Sequence, residues 1–124
     1  KGNASLEVQL STDKYSGTSL KYFPRDWSDY QRLRFEVFIP ENEINLTVRI
    51  NDLQHRTGEQ RYSDRFNRSF TLHEGWNEIL INLKDVENAP ANRLLDLSEI
   101  ENLGLFVSAL PAPRVIYLDN VILQ

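Results

Sequence analysis

The sequence predicts an all-β fold: a two-sheet antiparallel β-sandwich of about eight strands with at most one short helix. Three observations carry the prediction. Short segments in which apolar and polar residues alternate recur along the chain, turn-forming residues separate them, and helix-start signals are scarce. With 124 residues, 40% of them hydrophobic and 26% charged, the chain has the length of one domain, and its core needs no metal or disulfide to form.

The elements follow in order. SLEVQL at 5–10 sets Leu6, Val8 and Leu10 on one side and Glu7 and Gln9 on the other, and TSLKYF at 18–23 is a weaker strand. RLRFEVFI at 32–39 sends Leu33, Phe35, Val37 and Ile39 one way and Arg34, Glu36 and Phe38 the other, until Pro40 withholds its N–H and ends the run. NLTVRIN at 45–51 repeats the pattern, with Leu46, Val48 and Ile50 against Thr47, Arg49 and Asn51. FTL at 70–72, NEILINL at 77–83, LGLFVSAL at 103–110 and RVIYLDNVIL at 114–123 complete the set. Turns are expected at 40–42, 57–58 and 74–75, where Gly75 is free to take a positive φ, and residues 86–93 read as a loop crossing between sheets. The best helix signal is DLSEIENL at 96–103, with Ser98 as its cap.

Charge is distributed unevenly. RTGEQRYSDRFNRSF, residues 56–70, carries four arginines, two acids and three aromatic rings, a charge of +2 in a chain of net charge −4, so the remainder carries −6. That acidic remainder argues against a nucleic-acid partner, whose affinity would come from displaced counterions. No apolar run approaches the roughly 20 residues of a membrane helix. The absence of cysteine removes thiolate chemistry and cysteine-ligated zinc, and the absence of methionine in a chain that starts KGNAS reads as a piece of a longer protein. His55 and His73 stand outside any metal-ligand spacing, and no G-x-S-x-G elbow, G-x-G-x-x-G or phosphate loop occurs. Catalysis therefore has no motif to rest on.

The order of features is informative where single motifs are loose: DWSDYQRLRFEVFIP, a strand ending in INDLQH, then YSDRFNRSFTLHEGWNEILINL and a closing RVIYLDNVIL. Over about residues 5–124 it resembles the galactose-binding-like jelly-roll domains. Within them it is similar to carbohydrate-binding modules of the family 11 kind and to complex I intermediate-associated-protein-like domains, with a fainter likeness to domains attached to VanZ-like membrane proteins. The resemblance implies one carbohydrate-binding-module-like domain over 1–124 of a larger extracytoplasmic protein, secreted, periplasmic or membrane-attached. It implies a concave sheet and adjacent loops that bind a polysaccharide or glycan without altering it. It also implies a structural calcium near the chain ends, for which Asp119 is the candidate, although Asn120 stands where a second acid is usual and Ca²⁺ favours charged oxygens. No cofactor is required.

Sugar recognition combines flat aromatic faces with planar polar side chains. The polar sides of the expected strands offer Arg34, Glu36, Phe38, Thr47, Arg49, Asn51, Asn67, Ser69, Asn82, Phe106 and Ser108. From these and the 56–70 segment, the candidate ligand-binding residues are Arg49, Asn51, His55, Tyr62, Arg65, Asn67 and Phe106, with Arg56, Arg61 and Arg65 suited to a carboxylate on an acidic sugar. The competing reading makes that face a solvated surface with a Glu36–Arg49 pair, and makes Asp52, Asp64 and Arg65 a salt-bridge network that only shapes the loop. Trp27 and Trp76 stand just before strands and read as caps on the core. A protein-interaction domain is the alternative to glycan binding, and a glycoside-active enzyme comes third.

Overall fold

A computed structural model describes residues 6–20 and 23–124. The strands are β1 (Leu6–Leu10), β2 (Tyr15–Ser19), β3 (Arg32–Ile39), β4 (Ile44–Asp52), β5 (Phe66–Leu72), β6 (Gly75–Asn82), β7 (Ile100–Ser108) and β8 (Arg114–Leu123). They form two four-stranded antiparallel sheets, β1-β8-β3-β6 at the back and β2-β7-β4-β5 at the front. This is the jelly-roll sandwich that the sequence predicts.

Alternation explains the core. Leu33, Phe35, Val37, Ile39, Ile79, Ile81, Ile116 and Leu118 of the back sheet meet Leu46, Val48, Ile50, Leu103, Leu105 and Val107 of the front sheet, all buried. Leu6 is the exception to its expected face, 45% exposed on the edge strand β1. Trp27 caps the core as expected: it is fully buried, donates from Nε1 to the Pro24 carbonyl at 2.7 Å, and meets Phe23 edge-to-face. Gly75 takes its positive φ of 96° at the start of β6, and the chain crosses from the back sheet toward β7 after residue 87, because Val86 and Glu87 of the expected loop end a short helix instead.

Three elements differ most from the sequence reading, each for a local reason. The weak strand lies at Tyr15–Ser19 rather than 18–23, and Lys21 and Tyr22 of that reading fall outside the described residues. YSGTS has no apolar alternation to announce it; it is an edge strand held by its backbone ladder to β7. β5 begins at Phe66, four residues before FTL, because Arg68 occupies a position of core parity at the sheet edge, where its guanidinium lies over the Phe66 ring and reaches Asp85 at 3.4 Å. DLSEIENL makes one 3₁₀ turn, Leu97–Glu99, in which Asp96 and not Ser98 is the cap, accepting from the Ser98 amide at 3.0 Å; β7 follows at once.

Two short α-helices, α1 (Leu53–Thr57) and α2 (Leu83–Glu87), replace the single one expected, and a second 3₁₀ turn spans Tyr62–Asp64. Each helix starts on the last residue of a strand. Asp52 accepts from the His55 amide at 2.9 Å and Asn82 from the Lys84 amide at 2.9 Å. The same two residues that end the ladders thus begin the turns.

Candidate functional site

Strand register assembles a groove of about 970 Å³ on the outward face of the front sheet. Two cross-strand rows make its floor. Gly17, Phe106, Thr47 and Ser69 lie side by side across β2, β7, β4 and β5, and Ser19, Gly104, Arg49 and Asn67 form the next row. Tyr15 stands at one end, edge-to-face with Phe106 at a ring separation of 5.8 Å, and the Thr47 and Ser69 hydroxyls share a 2.9 Å hydrogen bond. Gly104 leaves a gap in the floor where a side chain would meet the Asn102 amide and Arg49.

The rim comes from the 56–70 segment. Tyr62 is 71% exposed, with the Arg65 guanidinium over its ring at 5.2 Å. Arg65 Nε donates to Asn67 Oδ1 at 3.1 Å, and Asn67 Nδ2 donates to the Tyr62 carbonyl at 3.3 Å, so the rim is tied to the floor. Burial and the nearby Arg49 charge lower the pKa of Arg65, against smaller opposing contributions from Tyr62 and Tyr15. Arg49 is half-buried, and no acceptor among the described residues reaches its buried Nε.

A polar knot fixes that rim in place. Arg93 grips two carboxylates with one planar guanidinium, Asp52 at 2.7 and 2.8 Å and Asp64 at 2.8 and 3.0 Å. Asp52 also accepts from the amides of His55 and Asp96, and His55 Nδ1 meets Asp64 at 3.2 Å. Burial favours protonation of Asp52, but Arg93 and the two amides outweigh it and hold its pKa below the usual carboxylate value. Asp64 is lowered chiefly by Arg93, with burial opposing and His55 assisting. The network foreseen between Asp52 and Asp64 is therefore real, but its cation is Arg93 rather than Arg65.

Five of the seven candidates, Arg49, Tyr62, Arg65, Asn67 and Phe106, line the groove. His55 does not: it is 4% exposed inside the knot, so it neither stacks on a ring nor meets a ligand hydroxyl. Asn51 shares the outward face of β4 but is buried opposite Asn102, beyond the groove. Arg56 pairs with Glu101 at 2.7 Å and Arg61 with Glu59 at 2.6 Å, both away from the groove. The polar faces also divide. Arg34, Glu36 and Phe38 belong to the back sheet, where Arg34 bridges Glu36 and Glu78, and the Glu36–Arg49 pair does not form. Tyr15 and Ser19 were missed because the strand that carries them gave no periodic signal.

Trp76 does not cap the core. It is 38% exposed on the outward face of the back sheet, 5.2 Å from Phe38, which in turn lies 6.3 Å from Tyr117. Asp119 does not gather a calcium site among the described residues. Asn120 takes φ 52° in a bulge of β8, its amide N–H bonds Asp119, and its Nδ2 donates to Glu36 at 2.8 Å, so its side chain spends a donor where a cation needs oxygens. No group of three or more His, Asp or Glu side chains suited to a metal occurs among the described residues.

No family model matches the chain, and no curated protein matches it. Solved structures do. The family 11 carbohydrate-binding module of the cellulosomal cellulase Lic26A-Cel5E of Clostridium thermocellum aligns with a TM-score of 0.66 and 20% identity over 96% of this chain and 73% of that one. The non-crystalline-cellulose-specific module CBM28 gives 0.66 and 11% over 100% and 77%. The fold is that of the carbohydrate-binding-module jelly rolls. An exo-β-agarase also matches this jelly roll, with a TM-score of 0.73 and 18% identity over 97% of this chain, which spans only 20% of the agarase. These structures support the carbohydrate-binding-module jelly-roll fold of the resemblance; none of the three bears on its complex I or VanZ part.

Gly17 is the position on which the groove wall depends. A Cβ there would lie 1.9 Å from the Leu105 carbonyl oxygen and 2.6 Å from the Phe106 Cα, both backbone atoms. Gly17→Ala is expected to push β2 off β7 and carry Tyr15 away from Phe106. Amide hydrogen exchange reads this as lost protection along β2 and the facing amides of β7; unchanged protection would show that the close approach is not required.

Proposed function

We propose that this jelly roll is a non-catalytic module that binds a polysaccharide or glycan in the front-sheet groove. The observation that carries the reading is the groove's composition: aromatic rings of Tyr15, Tyr62 and Phe106 stand beside Arg49, Arg65 and Asn67 on a rigid sheet. Rings suit the C–H faces of a pyranose, and the planar polar groups suit its oxygens. Support comes from similar structures: a family 11 module from Clostridium thermocellum was solved with a β-1,3-1,4-mixed-linked tetrasaccharide. On this reading the module belongs to a larger extracytoplasmic protein. No helix among the described residues is long and apolar enough to cross a membrane.

Tyr62→Ala tests the reading. Because the ring is largely exposed, its loss should weaken binding to a glycan array hit by about ten- to hundredfold, the usual worth of an aromatic platform, while the melting temperature stays within about 2 °C. A large drop in melting temperature with binding intact would make Tyr62 a structural residue.

A second reading is favoured by the back sheet, where Trp76, Leu80 and Ile122 stand exposed. That face suits contact with a neighbouring domain of a longer polypeptide, as the match to one fifth of an agarase allows. Such contact would be lost with Trp76→Ala and kept with Tyr62→Ala.

A further inference from the structure

Most arginines outside the groove are held by carboxylates, whereas the groove keeps two that are not. Arg25 and Arg56 pair with Glu101, Arg34 with Glu36 and Glu78, Arg61 with Glu59, Arg68 with Asp85 and Arg93 with Asp52 and Asp64. Arg49 and Arg65 have no carboxylate within ion-pair distance among the described residues, and both face the same groove. No Asp or Glu among the described residues lines it. This happens in a chain whose net charge is −4, so the groove is a local exception and not part of a generally basic surface.

The chemistry of donors and acceptors narrows what fits. A neutral sugar brings hydroxyls that donate as well as accept, and a site for it needs strong acceptors. Here no carboxylate among the described residues is present to accept strongly: the acceptors are neutral, among them Asn67 Oδ1, which already takes Arg65, and the hydroxyls of Tyr15, Ser19, Thr47, Tyr62 and Ser69. The charged groups of the groove are all donors. Arg49 is half-buried at the groove floor, and its Nε finds no acceptor among the described residues. Burial first and the nearby Arg49 charge second lower the pKa of Arg65, so two like charges share the groove. A group with oxygens and negative charge offsets the repulsion of the two guanidinium groups and accepts from both.

We infer that the groove takes an anionic glycan, one whose rings carry carboxylate or sulfate, with Arg49 and Arg65 as the contacts to the oxyanion. The inference rests on the glycan-binding reading and specifies its ligand. A planar guanidinium meets either oxyanion through paired hydrogen bonds, while the rings of Tyr62 and Phe106 flank the sugar.

Calorimetric titration of the unaltered chain with three oligosaccharides of matched length tests it: a polyuronate, a sulfated galactan and a neutral β-glucan. The carboxylated or the sulfated oligosaccharide should bind about tenfold or more tighter than the neutral one at low salt and weaken as salt rises. Whichever anionic arm binds identifies the oxyanion. Arg49→Gln and Arg65→Gln should each lose about tenfold or more, and Arg61→Gln, which removes a charge outside the groove, should lose nothing. Equal binding of the neutral glucan overturns the anionic ligand and leaves glycan binding standing. Binding to none of the three, nor to other glycans on an array, overturns both. An affinity that falls as much with Arg61→Gln as with the groove variants marks diffuse attraction and overturns the assignment. The titrations with unaltered chain decide even where a variant fails to fold.

Discussion

Replacing Arg93 by methionine should destabilise the protein by about 3–5 kcal/mol, the cost of removing one partner from a buried ion pair. The reason is specific to this knot. Asp52 has no exposed side-chain surface, and its two oxygens take both Arg93 contacts as well as the amides of His55 and Asp96. Methionine fills similar volume but leaves a buried carboxylate without its cation. Out of a typical total of about 5–15 kcal/mol, such a loss is large. Thermal or denaturant unfolding measures it, and a change below about 1 kcal/mol would mean that the cluster behaves as an exposed surface pair.

The same knot gives a pH dependence with a definite sign. The pKa values of Asp52 and Asp64 are lowered in the folded chain, so their contribution is complete above the unfolded value of about 3.9 and is lost as pH falls through the folded values. Wild-type stability should therefore decline below about pH 4. In the Arg93→Met chain Asp52 loses the cation that held its proton off, so the gap between the two proteins should narrow in acid. A gap independent of pH would place the loss in packing instead of charge.

Phe35→Ala should cost about 3–5 kcal/mol, as expected for a fully buried aromatic ring that leaves a cavity between two sheets. Phe35 is 1% exposed on β3, an inner strand of the back sheet. Phe38, three residues on, points the opposite way and lies against Trp76 and Tyr117. Its replacement by alanine should cost less, on the order of the 0.5–1.5 kcal/mol of an aromatic contact plus partial burial. Denaturant midpoints for the two variants test the strand phase directly. Equal costs, or a larger cost at Phe38, would mean that β3 is turned over by one residue, and every outward assignment on that strand would turn with it.

Much of the site's rim was legible because Tyr62, Arg65 and Asn67 sit within six consecutive residues and bond one another locally. His55 was misread for an instructive reason. A histidine beside a loop looks the same in sequence whether it faces solvent or a half-buried carboxylate nine positions away. Arg93 was passed over because its partner Asp52 lies 41 positions earlier, beyond the reach of any local pattern. Tyr15 and Ser19 sit on a strand that owes its place to the bare backbone of Gly17 and not to side-chain period.

Side-chain alternation is a local property with a period of two, and it alone determined which residues of β3, β4, β6, β7 and β8 enter the core; Leu33, Leu46, Ile81, Leu105 and Leu118 follow from it directly. It separates inside from outside, but a sandwich has two outsides. Only the order of strands in the sheets decided that Arg49 and Phe106 share a groove with Tyr15 while Arg34, Glu36 and Phe38 lie on the opposite side of the molecule. Strand order depends on pairings between residues far apart in the chain, and no neighbour-to-neighbour pattern encodes those.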